Sequence, residues 1–576
     1  MLLSLIMVIA AFPSHGQESK PIENEAMRKL SLVSDLQGLF ARAKQLQEPL
    51  ARALAEAEIA DAAWVHDREW AKELLREAYE MTFPKEDERS GSRKLRVGAP
   101  PKLPTSLDHA RRVVRQRILQ VAGRDRRLAS ELVQLGETQL GAFEGHVEYA
   151  SLAREALAQG DNEAGMRYVL HAIDADPTQM GVLSAIEQLA ERDRSAADSV
   201  ILHYIERLNA THLSFGDGGV ARTTLVLGRL IYPSVYFTNA AGVQVARPGP
   251  AVMKAYVAYV LNSRALFEQQ VPGSITGSRL LLMHTYPLLK QYAPELMPQF
   301  LDLEQRSRKP GEGFSPPTAK SIEEEYKAKY EKQVESELES AQPDEMVIRR
   351  VISRGDFSKA RKMIDKLAEG LQKTELLETL NAQQAISLAN KGDIPGAQKL
   401  AESLVKASSI LRVFPVIAGK CAAKNDDACA RDSINQAVRQ LKKADVTPFA
   451  PPPGVPASFF GTKRDFDPVL TSLGSLASAV ISLKDELALD VLDELVIAAN
   501  HSELDTGQGR TGFETSLFKK LAEKNEERTT AAVLQLQDSL RQIVALAAIN
   551  QWKSDKLVAE AKLRSTKNEG PSVKKN

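Results

Sequence analysis

Apolar residues recur three and four positions apart along most of the chain, on segments otherwise rich in Ala, Glu, Lys, Gln and Arg. This spacing puts apolar side chains on one face of an α-helix, and residues of high helix propensity fill the other faces. Two clear examples are LQGLFARAKQLQEPLARALAEAE (36–58) and ERTTAAVLQLQDSLRQIVALAAINQW (527–552). The pattern predicts an all-α fold.

A second pattern recurs along these helices. An Asp is followed by a small residue four positions later, by apolar residues seven and eight positions later, and by an apolar or small residue at eleven. The copies begin at Asp67, Asp161, Asp193, Asp356, Asp393 and Asp426, and their small residues are Ala71, Gly165, Ala197, Ala360, Ala397 and Ala430. The sixth copy has Ser433 at one of the apolar positions.

Each part of this pattern has a physical role at a helix–helix contact. The Asp caps a helix by accepting hydrogen bonds from its free N–H groups, and a Gly before it lets the preceding helix end in a left-handed conformation. The small residue lets a neighbouring helix approach closely. Successive copies are 32 (161 to 193), 37 (356 to 393) and 33 (393 to 426) residues apart. The pattern therefore predicts repeated helical hairpins, whose small residues form the packing contacts.

The segment EALAQGDNEAGMRYVLHAIDADP (155–177) resembles the second half of a tetratricopeptide repeat, and RGDFSKARKMIDKL and KGDIPGAQKLAESL resemble its relatives. The resemblance covers about a third of the chain. It implies a right-handed superhelix with a concave surface for peptides or protein partners, and it implies no chemistry. We therefore expect helix-turn-helix repeats forming an α-solenoid or superhelix, with an irregular central segment.

Breaks in the helical pattern suggest the domain boundaries. Charged or Pro/Gly-rich stretches interrupt it near 83–106, 308–318 and 442–461. The expected order is a signal peptide (1–16), an N-terminal helical hairpin (17–82), a linker (83–106), a first repeat array (107–212), an atypical Gly/Pro/Tyr-rich segment (213–310), a linker and charged helix (311–340), a second array (341–441), a Pro-rich loop (442–461), C-terminal helices (462–560) and a disordered tail (561–576).

The first residues predict export. An apolar run from Leu2 to Phe12 is followed by Pro13 and by small residues at Ser14 and Gly16, spaced as at a signal-peptidase site. The run carries no Lys or Arg before it, and the alternative interpretation is a buried N-terminal helix. We expect a periplasmic or extracellular protein.

Composition narrows the possible functions. Hydrophobic residues make up 43% and charged residues 26%, as in soluble globular proteins. Lys plus Arg equal Asp plus Glu at 75 each, so the chain lacks the positive field that non-specific nucleic-acid binding needs. We expect neither nucleic acid as a partner nor an integral membrane segment.

The two cysteines, Cys421 and Cys429, leave two interpretations open. On one continuous helix their Cα atoms would be about 12 Å apart, too far for a disulfide. A bond therefore needs a turn between them, which Asn425, Asp426 and Asp427 can supply. The alternative is two free cysteines in the core.

Motifs for chemistry are scarce. The sequence has no zinc-hydrolase HExxH, no P-loop, no GxSxG and no CxxC. A GxGxxG occurs at Gly507, Gly509 and Gly512, but no parallel-sheet pattern surrounds it, so we interpret it as a loop between helices rather than a dinucleotide site. His66, His171 and His203 lie on predicted helices and indicate surface or interface roles. The abundant Glu and Asp residues indicate solvated helix faces. We expect no cofactor and no metal.

Two functional hypotheses follow. The first is an exported scaffold that binds a protein or peptide partner through its helical arrays, without catalysis. The alternative is an envelope enzyme with its site in segment 213–310, near Asp217, Tyr232 or Tyr236, framed by the arrays. The sequence does not decide whether the chain is an enzyme.

Overall fold

The computed structural model describes residues 20–84, 106–140, 149–210 (without 151, 158–159, 176 and 178–179), 227, 248–262, 277–307, 331–443 (without 333) and 467–568. Within them every regular element is a helix, which confirms the predicted all-α class. The signal peptide, most of the 83–106 linker and most of the Pro-rich loop lie outside the described residues.

The α-helices are α1 (Lys20–Ala43), α2 (Pro49–Ala63), α3 (Arg68–Glu80), α4 (Ser106–Ala122), α5 (Arg126–Leu140), α6 (Asn162–Ala175), α7 (Met180–Arg192), α8 (Arg194–Ala210), α9 (Pro250–Asn262), α10 (Gly277–Tyr292), α11 (Met297–Ser307), α12 (Glu345–Ser353), α13 (Phe357–Asp365), α14 (Leu371–Lys391), α15 (Ile394–Ala401), α16 (Ala407–Ala423), α17 (Asp427–Lys443), α18 (Pro468–Val480), α19 (Asp485–His501), α20 (Ser516–Lys524), α21 (Glu526–Val533) and α22 (Ser539–Asn568). Short 3₁₀ turns lie at Pro294–Leu296 and Thr506–Gln508. Two further helical stretches lie within 149–157 and 331–339.

Consecutive helices pack as hairpins. The pairs α2–α3, α16–α17 and α18–α19 make extensive contacts, and each pair is joined by a short turn. Short turns bring neighbouring helices together at little cost in loop entropy. The predicted helix-turn-helix repeats are therefore present in the described part of the chain.

The chain divides into two compact units. The first unit comprises 1–82, 94–114 and 385–576, and the second comprises 83–93 and 115–384. This division differs from the predicted linear order, because the N-terminal hairpin belongs to the same unit as the C-terminal helices. Periodicity along the chain carries no information about which distant segments pair, and the sequence therefore predicts the hairpin only as a separate element.

In the second unit, α6–α11 enclose one apolar core that includes the fully buried Tyr204, Tyr256 and Phe300. Asp198 on α8 accepts a hydrogen bond from the Gly249 N–H (2.7 Å) just before α9. This bond fixes the start of α9. The described parts of the predicted irregular segment, 248–262 and 277–307, are helical. Asp217, Tyr232 and Tyr236 lie outside the described residues.

In the first unit, α2 is buried on nearly all sides. It packs against α1, α3, α22 and the 3₁₀ turn at Thr506–Gln508. A helix enclosed in this way is a central core element. The last helix, α22, continues to Asn568, into the range that the sequence assigned to the tail. Among the described residues, no helix is both long enough and apolar enough to cross a membrane.

Candidate functional site

The six aspartates of the repeated pattern all cap helices. The side chain of each accepts a hydrogen bond from the backbone N–H three residues later, at 3.0 to 3.4 Å, and these bonds join Trp70 to Asp67, Ala164 to Asp161, Ala196 to Asp193, Lys359 to Asp356, Gly396 to Asp393 and Cys429 to Asp426. The caps satisfy N–H groups that would otherwise have no partner within the helix. They fix where each helix of the pattern begins.

The small residues of the pattern lie in the helix–helix contacts. Ala71, Ala197, Ala360, Ala397 and Ala430 are completely buried. A Cβ added at Gly165 would lie 2.5 Å from Cγ of Leu157 on the preceding helical stretch. The contact at Gly165 therefore leaves no room for a larger side chain.

Four of the turns before these aspartates contain a residue of positive φ. Gly160, Gly355 and Gly392 have φ values of 86°, 81° and 89°, and Asn425 has 57°. In each turn the N–H of the following Asp donates to a carbonyl five residues earlier, for example from Asp393 to Leu388 at 3.0 Å. This bond closes the preceding helix. Asn425 is the one non-glycine residue with positive φ in the described part of the chain.

The two cysteines lie on either side of the Asn425 turn. Cys421 is in the last turn of α16 and Cys429 in the first turn of α17. The structure joins them in a disulfide, with their Cα atoms 5.7 Å apart. The bond links the two helices beside the Asp426 cap.

The GxGxxG segment forms a loop between α19 and α20, and its glycines permit close packing. A Cβ on Gly507 would lie 2.8 Å from Cγ of Glu48, and one on Gly509 would lie 2.9 Å from the Leu50 carbonyl oxygen. Gly509 and Gly512 also have positive φ, at 69° and 82°. The loop (505–513, called the glycine loop below) therefore lies directly against the start of α2.

A buried arginine holds the glycine loop in place. Arg541, on α22, is 2% exposed and donates to the backbone carbonyls of Thr511 (3.0 Å) and Ala499. Burial lowers the pKa of its guanidinium, whereas the nearby carboxylates of Asp538 and Asp467 act in the opposite direction. The arginine links α22, the end of α19 and the loop.

The most unusual polar groups of the first unit lie on α2. Glu56, Glu58 and Asp61 are all buried, although the sequence suggested solvated acidic faces. That interpretation is wrong for these three residues because α2 has no solvated face. Removing a carboxylate from water is costly unless it is paired or hydrogen-bonded.

Hydrogen bonds from residues on α2 and α22 offset part of that cost. Glu56 Oε1 accepts from Arg52 Nε at 2.7 Å, and Arg52 also pairs with Glu77 on α3. Asp61 accepts from Gln551 Nε2 on α22 at 2.9 Å. Burial raises the pKa of Glu56, and the hydrogen bond from Arg52 opposes that increase.

One of the predicted interface histidines, His66, also contacts α22, close to the Asp61–Gln551 pair. His66 Nε2 lies 2.8 Å from Oγ of Ser554, a buried residue of α22. Burial lowers the pKa of His66, and the charge of Lys29 lowers it further. We call this contact region between α1–α2 and α22, together with the glycine loop, the seam.

The other two histidines lie on α6 and α8. His203 Nε2 is 2.8 Å from Oδ1 of Asp174, to which Arg207 also pairs at 3.2 Å. The exposed ring of His171 stacks on Tyr149 with ring centroids 5.2 Å apart. Both histidines therefore have the helix-contact role that their positions indicated.

Ion pairs connect three alternate helices of the first unit, α17, α19 and α21. Asp490 on α19 pairs with Arg431 on α17 (3.2 Å) and with Arg528 on α21 (2.8 Å). Arg528 also pairs with Asp493 at 2.7 Å. Exposed pairs of this kind contribute little individually, and here they neutralise the acidic face of α19.

The described residues provide no candidate metal site. The described residues contain no group of three or more His, Cys, Asp or Glu side chains arranged to hold a metal ion.

No protein-family model matches the chain, and no curated protein matches it either. One solved structure with some similarity is a "Circular tandem repeat protein with novel repeat topology and enhanced subunit contact surfaces". It is 13% identical, covers 92% of this chain and 100% of its own, and has a TM-score of 0.15, too low to support an argument.

Helical periodicity does not predict the seam, but one short sequence match links the segments that form it. QLQEPL (45–50) and QLQDSL (535–540) share their Gln-Leu-Gln and their final Leu. Both segments form the same turn: Gln45 and Leu46 donate to Arg42 and Ala43 at 3.0 Å, and Gln535 and Leu536 donate to Ala532 and Val533 at 3.1 and 3.0 Å. The shared segment therefore marks the same turn between α1 and α2 and between α21 and α22.

Proposed function

We propose that this protein is an exported, non-enzymatic scaffold whose tetratricopeptide-like helical hairpins bind a protein or peptide partner. The observation that carries the proposal is the use of the six pattern aspartates as helix caps, each followed by a buried small residue. Residues used in this way build a framework rather than a reaction centre.

The remaining titratable groups support the same interpretation. Glu56 pairs with Arg52 on its own helix, and Asp61 of α2 and Asp490 of α19 are paired with groups on other helices, so these carboxylates serve packing. Stacked helical hairpins expose a continuous row of helix faces, and such a surface suits an extended peptide or a helix of another protein. Export is supported by the apolar run Leu2–Phe12 and the small residues after it.

Partner capture tests the binding role. The chain from Gln17 onward, tagged and folded, is incubated with the native envelope fraction beside its Ala397→Arg variant, in which a buried contact of the array is disrupted. We expect one polypeptide to be enriched on the intact protein and lost from the variant. Equal capture by both, or none by either, would contradict the scaffold role.

Localisation tests export separately. The full-length chain, expressed in its native cell, should appear outside the cytoplasm with its N-terminus at Gln17. An unprocessed chain in the cytoplasm would reject export. Turnover of an envelope substrate that is lost on substitution of Asp217, Tyr232 or Tyr236 would favour the enzymatic alternative instead.

A further inference from the structure

The first and last described helices, α1 and α22, pack side by side in antiparallel directions. Arg28 Nη1, near the start of α1, lies 3.7 Å from Glu560 Oε2, near the end of α22. Arg42, at the end of α1, donates to Gln542, in the first turn of α22. The sequence numbers run in opposite directions, so the beginning of α1 lies beside the end of α22.

This pairing reproduces a hairpin of the array without a covalent turn. Segments α1–α2 and α21–α22 share the Gln-Leu-Gln turn and its hydrogen bonds, so the same helix–turn–helix connection occurs in both. In the chain, α21 precedes α22. In space, α1 packs on α22 and leads into α2, which also packs on α22. Helices α1 and α2 therefore occupy the position that the next helical hairpin after α22 would take.

The contacts across this junction are specific rather than merely apolar. Asp61 binds Gln551, His66 binds Ser554, and the glycine loop fits against the Leu50 carbonyl of α2. Asp61 and Ser554 are buried and their partners Gln551 and His66 are half-buried, so a shifted helix would leave the Asp61 carboxylate and the Ser554 hydroxyl without these partners. The surface has the shape and polarity of a site for one particular helical segment.

We propose that the face of α22 and the glycine loop form a docking surface whose partner is the protein's own N-terminal segment, α1–α3. This segment supplies the terminal repeat that completes the C-terminal array. Docking depends on side-chain contacts at the seam and not on the covalent connection through 83–105. The proposal is independent of the scaffold role, since the seam closes or opens whether or not an external partner is captured.

Cleavage of the intact chain tests the proposal. A specific protease site is inserted between Gly98 and Ala99 of the full-length folded protein, and the cut protein is run on a native sizing column. We expect the N-terminal piece to co-elute with the remainder at the mass of one chain. Separation of the two pieces would overturn the proposal. Elution at twice that mass would show exchange between two copies and would also overturn closure within one chain.

A matched pair of glycine variants shows whether the seam is responsible. Gly509→Ala places a methyl group 2.7 Å from Cγ2 of Val114 and 2.9 Å from the Leu50 oxygen. Gly38→Ala on α1 meets nothing within 4 Å. We expect the cut Gly509→Ala protein to lose its N-terminal piece and the cut Gly38→Ala protein to retain it.

Circular dichroism of the uncut proteins checks that the seam variant is folded. The uncut Gly509→Ala protein should keep the far-UV circular dichroism of the wild type, which shows that the rest of the chain is folded. If its helicity falls, Asp61→Asn with Gln551→Leu replaces it as the seam variant and must release the piece. Retention of the piece by the folded seam variant would overturn the proposal.

Discussion

The α16–α17 hairpin and the α22–α1 pair bring two helices together in the same unit by different means. In the hairpin, a turn at Lys424–Asp426, the Asp426 cap and the Cys421–Cys429 bond all lie within a few residues of one another. In the α22–α1 pair and the adjoining α2 contact, the partners are distant in sequence. Asp61 and Gln551 are 490 positions apart, and their hydrogen bond joins a buried side chain to a half-buried one. Hairpins are thus defined locally, whereas the seam depends on long-range polar matching.

The largest change in stability is expected from disrupting a helix–helix contact within a hairpin. Ala397 on α15 is completely buried, so Ala397→Arg must either bury a charge or separate two helices. Overpacking alone costs about 1 to 3 kcal/mol, and the unpaired charge adds to that. Urea unfolding followed by circular dichroism should show a lower midpoint.

An exposed residue just after the same helix provides the control. Glu402 is exposed in the turn after α15, and Glu402→Arg should change the stability by no more than about 0.5 kcal/mol. Equal midpoints for Ala397→Arg and the wild type would mean that α15 does not pack on its neighbour through Ala397.

Two groups with shifted pKa values, Glu56 in the α2–α3 hairpin and His66 at the seam, should make the stability of the first unit depend on pH. Burial raises the pKa of Glu56, so the folded state takes up a proton before the unfolded state does, and this group favours folding more as pH falls from neutral towards about 4.3. Burial lowers the pKa of His66, so its contribution is present above about 6.5 and is lost as pH falls through the folded value. The two groups act in opposite directions.

Two conservative variants separate these contributions. On acidification the wild type should gain stability relative to Glu56→Gln and lose stability relative to His66→Gln. Unfolding midpoints at pH 7.5 and pH 5 measure both differences. If the unfolding midpoints of both variants shifted in the same direction relative to the wild type, the buried environment assigned to Glu56 or to His66 would be wrong.

The sequence predicted those features that depend on neighbouring residues. The Asp393 cap, the glycine turn before it and the buried Ala397 follow from one short segment, because capping and helical periodicity are local. The acids of α2 were misinterpreted because LARALAEAEIADAA has the composition of an exposed helix. Asp61 is bonded to Gln551 of α22, 490 positions away, and the periodicity of α2 carries no information about so distant a partner.

The smallest expected change in stability concerns the residue of positive φ in the turn of the α16–α17 hairpin. Asn425 has φ 57° at the position where three other turns have glycine. A side chain in the left-handed region is strained, so Asn425→Gly should raise the free energy of unfolding by about 0.5 kcal/mol. Asn435→Gly makes the same change at an exposed position inside α17 and should lower it by about 0.3 kcal/mol, because glycine weakens a helix interior. Urea titrations of the disulfide-bonded proteins measure both. The same sign for both variants would show that the Asn425 turn is not left-handed.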